Sequence, residues 1–198
     1  LSIPFSVLAN SNRYTPLWLQ EGIAVFTETW VNGGYGRALS SFDEMVFRTR
    51  VREGLPLLHF NEIEAVQEND FLLQTLSYCY GTRFISWLVD QFGTKKIKQW
   101  IVAPSLFSYQ RRFRHCFGIS LDRAWTSFCE DEHTHQMRNI HKLEHHPITP
   151  QISLSPPQGW VSQGYPDQNG RFLIFATHRP HELACIKRLD RYRSTVKV

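Results

Sequence analysis

The sequence has no long apolar run, few cysteines and only a small excess of positive charge. No stretch of about 18 apolar residues occurs, so no transmembrane helix is expected. The four cysteines, Cys79, Cys116, Cys129 and Cys185, form no C-x-x-C pair, which excludes a zinc ribbon and defines no disulfide framework. The net charge is +4, and some of the basic residues occur in short clusters. Such clusters are typical of solvated helix faces, so nucleic-acid binding is not expected.

The chain also lacks an initiator methionine and a recognisable signal peptide. We expect it to be an internal segment of a longer protein, so this absence carries no information about export. Hydrophobic residues make up 42% of the sequence and aromatic residues 14%. That content is enough for a packed core and excludes an intrinsically disordered chain.

Hydrophobic periodicity predicts a helical first part. Helices are expected over residues 16–31, 41–54, 71–92, 95–102, 106–117 and 120–143, with an irregular start and a loop with one helical turn over 55–69. Ser41 and Glu44 have the spacing of a capping box at the start of the second helix. Gly93 and Gly118 are expected to end helices, and Ser120 is expected to cap the last one.

The character of the sequence changes at residue 146. Five prolines fall between residues 147 and 166, and short β-type runs follow at 171–176 and 183–187. We therefore predict two domains, a helical one over residues 1–145 and a β segment over residues 146–198.

The first predicted helix contains an unusual pair, Glu21 beside Gly22, within an otherwise apolar stretch. Glu21 and Glu28 are seven residues apart and share a helix face. The simplest interpretation is an amphipathic helix whose carboxylates face water. However, glycine costs about 1 kcal/mol relative to alanine inside a helix, so Gly22 indicates close approach by another backbone.

The stretch Trp18-Leu-Gln-Glu-Gly-Ile-Ala-Val-Phe-Thr-Glu28 resembles the W-L-x-E-G-x-A-x-[YF]-x-E helix of gluzincin metallopeptidases, the thermolysin and aminopeptidase-like group. In that family an upstream H-E-x-x-H helix supplies two histidine zinc ligands and a general-base glutamate. The resemblance implies that Glu21 is the third zinc ligand and that Glu28 supports the site from behind the ligands. A His₂Glu set with an open position for water is a common catalytic zinc site.

Further motifs resemble a bacterial envelope branch of this family. They include Arg52-Glu-Gly-Leu-Pro56 and Arg114-His-Cys-Phe-Gly-Ile-Ser-Leu-Asp-Arg-Ala-Trp125. In that branch a TolB-like β-propeller follows the peptidase domain, and Tyr165-Pro-Asp-Gln-Asn-Gly-Arg-Phe-Leu-Ile-Phe175 is similar to its first blade, with an insertion in the turn. The implied fold is the C-terminal helical part of a gluzincin domain followed by an incomplete blade, located in the cell envelope or periplasm.

A tyrosine is also implicated by the resemblance. In related aminopeptidases, a tyrosine shortly before a glycine in a long helix donates its hydroxyl to the tetrahedral oxyanion. Ser77-Tyr-Cys-Tyr-Gly81 has this pattern, with Tyr78 the better positional match and Tyr80 the alternative. An aromatic side chain packed in the core is an equally good interpretation of either tyrosine.

The upstream half of such a zinc site is missing from this sequence. No histidine occurs in residues 1–20, so the chain carries one implied ligand and lacks the other two and the base. His141-Lys-Leu-Glu-His145 has the order of an inverted zinc motif, and His133, His135 and His146 lie nearby. A solvated position at the end of a helix favours adventitious metal binding there over catalysis. His181-Glu-Leu-Ala-Cys185 only begins like the motif.

Two functions of different class remain. The first is a segment of a zinc-dependent metallopeptidase that acts on a peptide or protein substrate, with the chain inactive by itself. The alternative is a non-catalytic peptidase-like module that binds protein partners through its propeller. A third interpretation, a basic nucleic-acid-binding helical protein, is disfavoured because the sequence has no groove motif of alternating aromatic and basic residues.

Overall fold

The computed structural model describes residues 15–65, 71–102, 108–147, 150, 152–179 and 182–197. The chain divides into two compact units, Leu1–His146 and Pro147–Val198, which we call the helical unit and the sheet unit. The division falls where the proline-rich segment begins. A mainly helical chain with a β segment at its C-terminal end agrees with the fold class expected from the periodicity.

The helical unit contains seven α-helices within the described residues. They are α1 (Leu17–Val31), α2 (Ser41–Arg52), α3 (Phe60–Ala65), α4 (Phe71–Phe92), α5 (Thr94–Val102), α6 (Tyr109–Phe117) and α7 (Leu121–Glu144), with a short 3-10 helix, Arg37–Leu39, between α1 and α2. The helix predicted over residues 106–117 corresponds to α6, and its predicted start at 106 lies outside the described residues. None of the described helices has the length and apolarity needed to cross a lipid bilayer.

Helix ends mostly follow the expected local signals, with one correction. Ser120 caps α7 by accepting a hydrogen bond from the Arg123 backbone N–H at 3.2 Å, and Gly118 ends α6 with φ of 77°. The predicted capping box of Ser41 with Glu44 is wrong. Ser40 caps α2 through the Phe42 N–H at 3.1 Å. The Glu44 carboxylate instead bonds to side chains of other helices, which offer stronger charge-assisted partners.

The core of the helical unit is a cluster of aromatic side chains centred on Trp18, which is fully buried. The Trp18 ring centroid lies 5.1 Å from that of Trp125, 5.8 Å from that of Phe84 and 6.1 Å from that of Phe60. Such ring pairs stabilise a fold beyond the area they bury. Because its neighbours come from three other helices, Trp18 fixes α1 against the rest of the unit.

The sheet unit is a small antiparallel sheet. Its strands are β1 (Trp160–Val161), β2 (Tyr165–Pro166), β3 (Phe172–His178), β4 (Cys185–Asp190) and β5 (Thr195–Lys197). The order is β1-β3-β4-β5, and β2 also pairs with β3. Among the described residues, the buried apolar side chains of this unit are Phe175 and Leu189. One face is therefore thinly packed, and the other is open to solvent.

Candidate functional site

Glu21 lies on α1 next to the face that carries the core. Trp18, Leu19, Gly22 and Val25 are buried along this helix, whereas Glu21 is half-buried. This spacing turns the Glu21 carboxylate to the border between core and solvent. A carboxylate in that position is partly desolvated and still accessible to a ligand.

Gly22 allows another backbone to approach, as the sequence indicated, and in the described part of the chain that backbone belongs to α4. A Cβ atom placed on Gly22 would lie 2.4 Å from the Gly81 carbonyl carbon. A Cβ atom on Gly81 would lie 1.9 Å from the Trp18 carbonyl oxygen. Neither distance is compatible with a side chain, so α1 and α4 cross in contact only because both positions are glycine.

This crossing brings together two residues that the sequence implicated separately. Glu21 is adjacent to Gly22, and Tyr78 lies one helical turn before Gly81 on the same face of α4. The Tyr78 phenol lies close enough to Glu21 for the charge and hydrogen-bonding capacity of that carboxylate to act on it. Burial raises the pKa of Tyr78, and the negative charge and hydrogen bond of Glu21 raise it further. The phenol is therefore held in its protonated, donating form.

Arg37 is the third member of this group. Its guanidinium carbon lies 4.8 Å from the centroid of the Tyr78 ring, within the range of a cation–π contact. The positive charge of Arg37 acts against burial and lowers the pKa of Tyr78 in part. The sequence did not single out Arg37, because it belongs to a short 3-10 helix whose position depends on the loop after α1.

A cleft of about 440 Å³ opens beside Glu21. Its lining combines polar and apolar side chains: Thr15, Gln20, Glu21, Ile23, Ala24, Ile101 and Arg112. This volume lies within the range of about 300–1,000 Å³ typical of small-molecule sites. The cleft could hold a short segment of an extended ligand against the carboxylate.

Tyr80 and Glu28 lie apart from this group. Tyr80 is fully buried, its hydroxyl accepts a hydrogen bond from the Leu58 backbone N–H at 3.2 Å, and burial raises its pKa to about 12. Its surroundings match the core interpretation. Glu28 is exposed on α1, and its side chain makes no ion pair or hydrogen bond within the described residues.

The histidines at the C-terminal end of α7 form no closed metal site with the other described residues. His141 and His145 have ring centroids 4.6 Å apart, and the His145 Nδ1 atom lies 2.6 Å from the His141 carbonyl oxygen. Both side chains are exposed. His135 contacts Glu44 at 3.3 Å instead. His181 lies outside the described residues.

A polar network between α2, α4 and α7 was not predicted from the sequence. Arg83 binds Glu44 at 2.5 Å and Glu132 at 2.9 Å, and Gln136 donates to both carboxylates. Burial alone would raise the pKa of Glu44, but the hydrogen bond from Gln136 and the charge of Arg83 lower it overall. The only sequence signal was the i, i+4 spacing of Glu132 and Gln136, which is common on solvated helices.

The described residues do not by themselves supply a zinc site. No group of three or more His, Cys, Asp or Glu side chains close enough to hold a metal occurs among them. Near Glu21 the charged and phenolic groups of the described residues are its own carboxylate, the Tyr78 phenol and the guanidinium groups of Arg37 and Arg112. A catalytic zinc requires three protein ligands, so two would have to come from elsewhere.

Comparison with known proteins identifies no relative of this chain. The chain matches no protein-family model, no curated protein and no solved structure.

Proposed function

We propose that the helical unit forms part of the active site of a zinc-dependent metallopeptidase, with Glu21 as a zinc ligand and Tyr78 as a hydrogen-bond donor to the substrate. The contact between Glu21 and Tyr78 supports this proposal. The family motif implicated the two residues independently, and they are 57 positions apart in the chain. The adjacent cleft of about 440 Å³ offers room for a peptide segment.

The proposal concerns a longer protein that contains this chain. The two histidine ligands and the general base would come from an H-E-x-x-H helix outside the sequence, and the chain alone is expected to be inactive. Zinc in such a site polarises the scissile carbonyl and activates a water molecule. Within this chain, Glu21 is oriented by α1, and Tyr78 keeps its proton because burial and the neighbouring carboxylate raise its pKa.

The test is made on the longest natural protein that contains this chain. Zinc content and hydrolysis of a mixed peptide library are measured for the wild type, Glu21→Gln and the control Glu130→Gln, an exposed glutamate on α7. We expect Glu21→Gln to lose bound zinc and at least about a hundredfold of activity, since a His₂Glu site owes its affinity to all its ligands. Full activity and zinc in Glu21→Gln would exclude this role.

The role of Tyr78 has its own matched pair of variants in the same protein. Tyr78→Phe should lower kcat by on the order of 10²–10³ with little change in KM, because an oxyanion donor acts mainly in the transition state. Tyr80→Phe should leave turnover nearly unchanged, because its hydroxyl contacts the Leu58 backbone in the core. Wild-type turnover in Tyr78→Phe combined with loss in Tyr80→Phe would reverse the assignment.

For the sheet unit we propose the first, incomplete blade of a TolB-like β-propeller. Support comes from the antiparallel neighbours β3, β4 and β5 and from the exposed apolar residues Tyr165, Ile174 and Ile186 on one face. A blade needs a neighbouring blade to cover such a face. Limited proteolysis should cut this unit in the isolated chain and spare it in the longer protein, and equal cutting in both would contradict the proposal.

A non-catalytic peptidase-like module is the second candidate. It is favoured by the fact that the described residues place a single carboxylate, and no histidine, at the Glu21 cleft. The same library and zinc assay separates the two candidates. A longer protein that has neither zinc nor peptidase activity, and that captures protein partners through its sheet unit, would support the module.

A further inference from the structure

The sheet unit contains a second cavity, unrelated to the Glu21 cleft. It has a volume of about 220 Å³ and lies where β3, β4 and β5 meet. The residues that matter for its chemistry are Arg171, Phe172, Arg188, Asp190, Arg193 and Lys197. Four cationic side chains therefore surround one small space together with a single carboxylate.

Both oxygens of the Asp190 carboxylate already accept hydrogen bonds from other groups of the sheet unit. The Asp190 Oδ2 atom accepts hydrogen bonds from Arg171 Nε at 3.3 Å and Nη2 at 3.0 Å. Its Oδ1 atom accepts from the backbone N–H groups of Tyr192 at 3.0 Å and Arg193 at 3.3 Å. Because both oxygens serve Arg171 and the β4–β5 turn, Asp190 does not neutralise the other three cations.

Within the part of the sheet unit that the structure describes, those three cations have no acidic partner. Among the described residues, no hydrogen bond or ion pair joins the side chains of Arg188, Arg193 or Lys197 to a carboxylate. Arg188 and Lys197 are directly opposite each other in the β4–β5 register, so their side chains share one face. Like charges in that arrangement repel each other and destabilise a sheet. A bound anion would remove this repulsion.

Arg188 is oriented by an aromatic ring instead of a carboxylate. Its guanidinium carbon lies 4.6 Å from the Phe172 ring centroid, and that of Arg171 lies 5.0 Å from the same centroid. A guanidinium on an aromatic ring is positioned by the ring while its N–H groups stay available. The site is thus partly pre-organised without using the donors that would bind a ligand.

We propose that this cavity binds the terminal phosphate group of a phosphomonoester. A phosphomonoester carries about −1.5 to −2 charges at pH 7 and three strong acceptor oxygens, which match the three unneutralised cations. A carboxylate or a phosphodiester supplies only one charge. The cavity is smaller than the about 300–1,000 Å³ that enclose drug-sized ligands, so it fits the anionic group and leaves the rest of the molecule outside.

The inference depends on the sheet unit alone and is independent of the proposed peptidase function. It is tested on the full 198-residue chain by titration calorimetry and by amide chemical shifts at low ionic strength. Methyl phosphate serves as the monoester ligand, dimethyl phosphate as the diester and acetate as the carboxylate. We expect methyl phosphate to bind at least about tenfold more tightly than the other two, with shifts confined to β3, β4 and β5. Equal affinity for all three would overturn the proposal.

Substitutions of cationic residues inside and outside the cavity test whether methyl phosphate binds there. Arg188→Gln and Lys197→Gln should each weaken methyl phosphate binding at least about fivefold. Arg191→Gln is the control, because it removes the same charge from the neighbouring turn, where Arg191 bonds to the Gly170 carbonyl outside the cavity. It should change the affinity less than twofold. Equal losses in all three variants would mean general electrostatic attraction and would contradict a defined site.

Two further measurements address a variant that does not fold and a ligand that is a polyanion. If Arg188→Gln fails to fold, Lys197→Gln on the exposed strand β5 decides alone, and its melting temperature without ligand should be equal to or above that of the wild type. A single-stranded oligonucleotide without terminal phosphates separates the monoester from a polyanion. We expect the oligonucleotide to bind more weakly than methyl phosphate does. If it binds more tightly and displaces methyl phosphate, the site is a nucleic-acid surface and the proposal is wrong.

Discussion

The helical unit and the sheet unit differ in how completely they bury their large apolar side chains. The helical unit encloses a continuous aromatic cluster in which Trp18, Tyr80, Phe84 and Trp125 are fully inaccessible to solvent. The sheet unit leaves large apolar residues exposed, including Ile186 at 68%. Short chain units bury a smaller fraction of their surface than long ones do, so we expect most of the stability to reside in the helices.

The two units also differ in whether their cationic side chains are paired with carboxylates. In the helical unit, the half-buried cation of Arg83 is matched by the carboxylates of Glu44 and Glu132. In the sheet unit, Arg188 and Lys197 lie opposite each other, and no carboxylate among the described residues pairs with either. Removing one partner of such a half-buried pair leaves the other charge unmatched and destabilises the fold, whereas unmatched surface charges are available to a ligand. The charges of the helical unit therefore connect its helices, whereas those of the sheet unit are the ones that the proposed phosphate would contact.

The largest expected effect is on the helix crossing. Gly81→Ala should destabilise the helical unit by about 3 kcal/mol or more, since the new Cβ atom meets backbone atoms that cannot rotate away. The gain of about 1 kcal/mol in helix propensity does not offset this clash. Urea unfolding followed by tryptophan fluorescence measures the change. Gly164→Ala in the sheet unit is the control, because its Cβ atom meets nothing within 4 Å; equal stability of the two variants would contradict the tight crossing.

Amide hydrogen exchange compares the units directly. Amides in α4 should exchange at least about a hundredfold more slowly than those in β3 and β4, corresponding to about 2.7 kcal/mol. The physical reason is that α4 carries the buried residues Phe84, Ile85 and Leu88, whereas the strands cover little apolar surface. Slower exchange in the strands than in α4 would show that the sheet unit is the more stable one.

Alkaline pH should act mainly on the helical unit. Burial raises the pKa of Tyr80 to about 12 and that of Cys129 to about 12. A group whose pKa is raised in the folded state stabilises the fold below its unfolded pKa and loses this contribution as pH rises through the folded value. We therefore expect ionisation of Tyr80 alone to lower the unfolding free energy by on the order of 2 kcal/mol between pH 9 and pH 12.

The check is a series of urea titrations across this pH range, with Tyr80→Phe as the matched variant. Removing the phenol should flatten the pH dependence above pH 10. A Tyr80→Phe chain whose pH dependence keeps the wild-type slope would disagree with this account.

The smallest expected effect is on zinc binding by the isolated chain. Glu21→Ala should leave binding unchanged, because one carboxylate does not hold zinc tightly. Weak binding should fall in His141→Ala, since His141 and His145 share one exposed helix face. Equilibrium dialysis measures both variants. Loss of tight binding on the Glu21 change alone would mean that this chain already contains a zinc site.

Local sequence signals were sufficient for much of the fold. The spacing of apolar residues predicted α4 over 71–92, Gly118 ended α6, and Ser120 capped α7. These outcomes depend on interactions within a few residues, so the sequence carries them directly. The capping box of Ser41 failed because Glu44 had a competing partner, Arg83, 39 residues away.

The candidate site shows the same division between local and distant effects. The sequence by itself determined that Glu21 lies on a helix beside a glycine that favours close backbone approach. Only the tertiary structure decided that the approaching helix is α4 and that Tyr78, not Tyr80, meets the Glu21 carboxylate. Likewise, the register of β4 and β5 decided that Arg188 and Lys197 share one face. Contacts between distant residues depend on how whole elements pack, and no local pattern in the chain encodes that packing.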